Sequence, residues 1–303
     1  MEAGRRAYIP CGAAKQVKAM SVQAAVLTDR PISDLSYVEG KLGFTRRSGE
    51  TQFTYAYGPP DGQPRSNVVL DEQAVRIADA RPLIGDLSVD VQGFEVVKHR
   101  TAVRDFWDEA QTMALGHPEA AEIVRAATGA SRVVVYDHTL RRRLVGTEDR
   151  TDGAPRQPAT RVHVDQTVRS GPQRVHDLMG DQAEGLLARR AAIVNVWRPI
   201  GRPAVDWPLA VADARSVPPA DLIPSELRFA HRTGEIYGLA HSPGQRWFYV
   251  SALQPDEALL IKCWDSDEGV ARFAPHTAFD DPTTPPGTPP RESIEFRTIA
   301  FFD

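Results

Sequence analysis

From residue 131 to the C-terminus the chain reads as strand after strand, without an internal repeat. A short run of β-branched or aromatic residues is closed each time by Gly, Pro, Asp or Ser. The runs are "SRVVVYDHTL" (131–140), "RVHVDQT" (161–167), "AAIVNVWRP" (191–199), "GEIYGLAHS", "QRWFYVSAL", "EALLIKCWDS" and "SIEFRTIAFFD". Three of them start only 11–12 residues apart (234, 245 and 257), too short for parallel crossovers and well suited to antiparallel pairing, and longer connections separate the rest. Helical periodicity lies mostly earlier. "TAVRDFWDEAQTMAL" (101–115) sets Val103, Phe106, Ala110 and Met113 on one helical face, and "HPEAAEIVRAATG" (117–129) has Pro118 in its first turn and Gly129 as its stop. "DQAEGLLARR" (181–190), with Asp181 and Glu184 at capping-box spacing, predicts one more helix. Residues 21–90 read as short strands and loops. The fold class expected is mainly β with flanking helices: a jelly roll with helices packed on one sheet.

At 303 residues, 42% hydrophobic and 25% charged, the chain can bury a substantial core. Residues 21–303 are expected to form a single domain, and residues 1–20, which carry two arginines but no apolar stretch after them, a loose leader. A net charge of −4 without basic clusters argues against nucleic acid, and no apolar run approaches the roughly 20 residues that span a bilayer. Two cysteines build no disulfide framework, so the expected compartment is the cytoplasm. A homodimer is the base-rate assembly. The proline-dense "DDPTTPPGTPPRES" (280–293) can be neither helix nor central strand, and predicts an extended loop between two strands.

The 161–167 run carries the chemistry. Alternation sends Val162 and Val164 one way and His163 and Asp165 the other. A solvated strand face would accommodate that pair, and so would a metal. A second imidazole would complete two His and one carboxylate, the facial triad of non-haem Fe(II) oxygenases. The candidate is His276, in "FAPHTAFDDP". On the last strand Arg291, Ser293, Glu295 and Arg297 share one face, and Ile294, Phe296 and Thr298 the other. Two arginines and a serine on an interior face need an anion. A dicarboxylate such as 2-oxoglutarate would satisfy them, its keto-acid end on iron and its far carboxylate on the guanidinium. Pairing with surface acids is the alternative.

Together, "GASRVVVYDHTLRRR", "PATRVHVDQT", "AAIVNVWRPIGRPAVDWPLAVADARSV", "DEALLIKCWDSDEGVARFAPHTAFDDP" and "PPRESIEFRTIAFF" resemble the AsaB/gibberellin-desaturase-like hydroxylase/desaturase family. The resemblance runs from about residue 65 to the C-terminus. It implies a double-stranded β-helix (cupin-like) and an Fe(II)/2-oxoglutarate-dependent oxygenase. Such an enzyme hydroxylates or desaturates an unactivated C–H bond of a small natural product with O2, and oxidises 2-oxoglutarate to succinate and CO2. Carried over, His163, Asp165 and His276 are the iron ligands and Arg291 the 2-oxoglutarate clamp, with Ser293, Arg297 and Asn195 as further cofactor-binding candidates. His138, Trp197 and Arg141 are substrate-pocket candidates. Readings from other classes are a non-catalytic metal-binding cupin-like module and a Zn-dependent hydrolase on the same ligands. Neither requires an arginine opposite the metal. No G-x-S-x-G elbow, P-loop or G-x-G-x-x-G turn is present.

Overall fold

The computed structural model describes residues 32–149 and 154–303, so the expected leader at 1–20 lies outside the described residues. Fourteen strands follow in order: β1 (Tyr37–Thr45), β2 (Gln52–Tyr55), β3 (Leu70–Asp79), β4 (Phe94–Lys98), β5 (Arg132–Arg142), β6 (His163–Val164), β7 (Ala191–Pro199), β8 (Leu209–Ala212), β9 (Leu222–Arg228), β10 (Thr233–Leu239), β11 (Trp247–Tyr249), β12 (Glu257–Asp265), β13 (His276–Ala278) and β14 (Glu292–Phe301). They form two sheets. The larger runs β1-β3-β11-β8-β13-β6-β10-β9-β2, and the smaller runs β4-β12-β7-β14-β5. The smaller sheet is antiparallel throughout.

β7 shows how the layers stack. Every residue of it is buried, because it lies centrally in its sheet and both of its faces are covered. Ala192, Val194 and Val196 pack outward with Ala120, Ile123 and Val124 of a covering helix. Ala191 and Ile193 pack inward with Val164 of β6 and Tyr237 of β10. Trp197 faces inward with Ala78, Val211 and Phe248 of the larger sheet. β7 thus serves two core layers, one between its sheet and the covering helix and one between the two sheets, as expected of a jelly roll with helices packed on one sheet.

The helices depart from their expected bounds. Residues 101–108 are not helical. Asp105 accepts a hydrogen bond from the Trp107 amide, and Asp108 accepts from those of Ala110 and Gln111, so carboxylates take up the amides that an earlier helix would use. Helix α1 (Glu109–Gln111) runs through a π-helical turn (Thr112–Gly116) into α2 (His117–Thr128), which stops at Gly129 with φ +72°. Met113 is half-exposed rather than part of a buried stripe. A helix that the sequence did not announce, α3 (Ser170–Met179), starts where Thr167 and Ser170 exchange side-chain-to-amide hydrogen bonds. α3 ends at Gly180 (φ +52°), so α4 is confined to Ala183–Leu187 and Asp181 caps nothing. Gly171 abuts Trp264 so closely that an added Cβ would lie 2.4 Å from the indole.

Candidate metal centre

β6 is only two residues long, yet it joins two elements of the site. His163 pairs with Gly238 of β10 on one side and with His276 of β13 on the other. Residues directly opposite on antiparallel strands project to the same face, so the two imidazoles lie together, with ring centroids 4.5 Å apart. Val162 and Val164 are fully buried on the other side, as the alternation predicted. One ligand atom from each of His163, Asp165 and His276 lies within 4.8 Å of the other two.

Each ring is set to offer Nε2. His163 Nδ1 lies 2.8 Å from the Arg161 carbonyl, and His276 Nδ1 lies 3.1 Å from the Ala274 carbonyl. A carbonyl only accepts, so both Nδ1 atoms carry the proton and both Nε2 atoms keep a lone pair. Asp165 is equally constrained. Its Oδ2 accepts from Asn195 Nδ2 at 2.8 Å and from Arg297 Nε at 3.1 Å, while Oδ1 faces His163 Nε2 at 3.6 Å. Burial disfavours charge on His163, and the adjoining His276 ring adds to it, lowering that imidazole to about 3. Burial alone would raise the Asp165 carboxyl, but the Arg297 guanidinium, with the Asn195 hydrogen bond, holds it well below the usual carboxylate range. A neutral His163 ring and an ionised Asp165 carboxylate are the forms that ligate a divalent metal.

The inward face of β14 adjoins this triad. Ser293, Glu295 and Arg297 lie opposite Arg141, Thr139 and Asp137 of β5. Arg291 is buried, its guanidinium 5.3 Å over the Trp197 ring, and Nη1 donates to the Trp207 carbonyl. Burial and the nearby Arg141 lower its pKa to about 9. Buried Arg291 Nε, Ser293 Oγ and His276 Nε2 have no hydrogen-bond partner among the described residues. A buried polar atom without a partner is costly, by about 1–3 kcal/mol. These three are the atoms that a metal and a carboxylate would engage, so the donor set fits Fe(II) and 2-oxoglutarate. Trp197 walls the same space, and Arg141 points into it while donating to the Gln157 carbonyl.

Three expectations need correction. Arg297 and Asn195 do not present free donors to a cofactor. Arg297 is committed to Asp165, Asp137, Thr139 and Glu295, and the Asn195 amide nitrogen to Asp165, so both orient the ligand carboxylate instead. His138 is not in the pocket. It pairs with Phe296 on the outward face of the sheet, 3.0 Å from His117 Nε2 and 3.2 Å from Glu109. His138 and Arg141 are three residues apart on one strand, and such residues face opposite ways.

Arg161 escapes a reading keyed to His163 and Asp165, although the alternation that unites them includes it. It is partly buried, and burial lowers its guanidinium to about 10. A cavity of about 290 Å3 is lined by Arg143, Leu144, Val145, Gln157, Thr160 and Trp207 among others, and by none of the three metal-ligand candidates. Trp207 joins it to the Arg291 contact, and Thr160 directly precedes Arg161.

Two imidazoles and one carboxylate on the inner wall of a double-sheeted β-roll, beside a buried arginine, define the class of mononuclear facial-triad oxygenases. Comparison narrows this. The family model described as "Oxidoreductase/YMDC permease-like domain" matches residues 37–301. The "Fe(II)/2-oxoglutarate-dependent dioxygenase nvfI" of Aspergillus novofumigatus is 31% identical over 279 residues, covering 89% of this chain and 99% of that protein. The "Hydroxylase/desaturase CTB9" of Cercospora beticola is 35% identical over 285 residues, covering 84% of this chain and 87% of its own. The solved structure of "iron and alpha-ketoglutarate-dependent endoperoxidase NvfI" superposes with a TM-score of 0.80 at 30% identity, over 88% of this chain and 98% of that one. The chain belongs to the oxidoreductase/YMDC permease-like domain family, in the branch of Fe(II)/2-oxoglutarate-dependent dioxygenases and hydroxylase/desaturases. Among the described residues no helix is long and apolar enough to cross a membrane.

Proposed function

We propose that this protein is an Fe(II)/2-oxoglutarate-dependent oxygenase that hydroxylates or desaturates an unactivated C–H bond of a small natural product. The observation that carries the reading is the convergence of one ligand atom each from His163, Asp165 and His276 within 4.8 Å, next to a buried arginine with an unpartnered Nε. His163 and His276 would hold iron through Nε2 and Asp165 through Oδ1, leaving three sites of an octahedron open. Arg291 and Ser293 would take the distal carboxylate of 2-oxoglutarate. Iron with 2-oxoglutarate and O2 supplies the oxidising power for breaking the C–H bond, with succinate and CO2 as co-products.

The chain's own residues do the rest. Asn195 and Arg297 hold Oδ2 so that Asp165 presents a single oxygen. The Arg161 and Ala274 carbonyls fix the ring tautomers. Trp197 and the surrounding core exclude water from the space between the sheets. A metal-binding module without turnover, or a Zn-dependent hydrolase, would have no use for Arg291 and Ser293 there. The working unit we propose is a single domain over residues 21–303 in the cytoplasm. Its partner is a small molecule rather than nucleic acid or membrane, consistent with a net charge of −4. A homodimer rests on the frequency of two-fold assemblies alone. The test is anaerobic addition of Fe(II) and 2-oxoglutarate, which should raise a visible charge-transfer band absent from His276→Ala, followed by succinate release in air. No band with the intact triad would overturn the reading.

A further inference from the structure

Arg161, His163 and Asp165 are each partly buried, whereas Val162 and Val164 between them are fully buried. The guanidinium of Arg161 therefore projects from the same face as two of the three metal-ligand candidates. Two residues of strand separate the Arg161 Cα from that of His163 by about 6–7 Å. Among the described residues its guanidinium makes one hydrogen bond, to a neutral hydroxyl, Thr54 Oγ1 of β2, at a long 3.4 Å. Among the described residues no carboxylate lies within ion-pair distance of it. The other cations around the site are engaged otherwise: Arg297 with three carboxylates, Arg143 with Asp206, Arg141 with the Gln157 carbonyl, and Arg291 with the Trp207 carbonyl. A partly desolvated guanidinium facing an open site, with most of its donors uncommitted, is a receptor for an anionic oxygen. Arg291 is already assigned to 2-oxoglutarate, and Arg161 lies on a different strand of the opposite sheet.

We propose that Arg161 binds the substrate, and that the substrate is an acid: a small molecule bearing a carboxylate or another ionised oxygen, held so that the C–H bond to be broken faces the metal. This rests on the oxygenase reading for the identity of the site. A carboxylate on Arg161 anchors one end of the substrate, and the cavity of about 290 Å3 that the preceding residue, Thr160, lines offers Leu144, Val145 and Trp207 to its apolar body.

The test uses the full chain and a panel of one- and two-ring aromatic carboxylic acids, each beside its own methyl ester, with binding measured by calorimetry. Wild type should bind some acids at least tenfold more tightly than their esters. Arg161→Gln should lose that preference while leaving ester binding, melting temperature and the Fe(II)/2-oxoglutarate band unmoved. Arg161→Lys should recover part of it, and also serves if the Gln variant fails to fold. Equal binding of acids and esters by wild type, or an undiminished preference in the folded Arg161→Gln variant, overturns the proposal. If the iron band is absent but the acid preference depends on Arg161, the oxygenase reading fails and the anion site stands.

Discussion

Asn195 offers the sharpest test of how the metal centre is held. It sits on the fully buried central strand β7 and donates to Asp165 Oδ2 at 2.8 Å. Asn195→Leu keeps the branched outline of the side chain, at a larger volume, and removes the donor. A hydrogen bond to a charged group contributes about 1.5–3 kcal/mol. Arg297 Nε still holds the same oxygen at 3.1 Å, so the carboxylate loses one of two restraints rather than both. Removing one such restraint weakens metal binding by about 10- to 100-fold. With the Arg297 contact surviving, the lower end, about tenfold or 1.4 kcal/mol, is expected. The assay is anaerobic Fe(II) titration with saturating 2-oxoglutarate, read by the visible charge-transfer band, alongside thermal denaturation of the metal-free protein. An Fe(II) affinity within twofold of wild type, in a protein that melts normally, would refute the idea that anchoring Oδ2 sets the ligand geometry.

Arg291→Gln should raise the KM for 2-oxoglutarate by about 10- to 100-fold, the loss of a charge-assisted pair, with little change in Fe(II) affinity; steady-state succinate release separates the two. Gly171→Ala places a methyl against the rigid Trp264 ring and should destabilise by at least about 1–3 kcal/mol, read from denaturant midpoints. Asp213 is fully buried and accepts hydrogen bonds from Arg215 and Arg246. Burial raises its carboxyl, but those two cations outweigh burial and hold it below its ordinary value. Its stabilisation is therefore present above the unfolded-state value of about 3.9 and is lost as pH falls through the lower folded value. Asp213→Asn should melt lower than wild type at pH 7, and the two curves should converge in the acid limb. A gap that persists unchanged below pH 3 would refute this assignment.

Much of the centre was legible along the chain because strand periodicity is local. His163 and Asp165 had to share a face, as did Arg291 and Ser293, whatever the fold around them. The same rule excludes His138 once Arg141 faces inward. The helices were less legible. Asp105 and Asp108 redirect the backbone through side-chain bonds that an apolar stripe does not reveal, and Thr167 with Ser170 opens α3 with no helical periodicity before it.

By itself the order of residues determined which side chains are neighbours across a two-residue step, since that depends only on the pleat of an extended backbone. Tertiary structure alone decided what those faces meet. The β6–β13 ladder brings His276 beside His163, and strand β7 turns Asn195 toward Asp165. Arg297 is drawn into three carboxylates, while Arg291 Nε has no partner among the described residues. Each of these depends on packing between segments far apart in the chain, where burial and the pairing of charge select one arrangement.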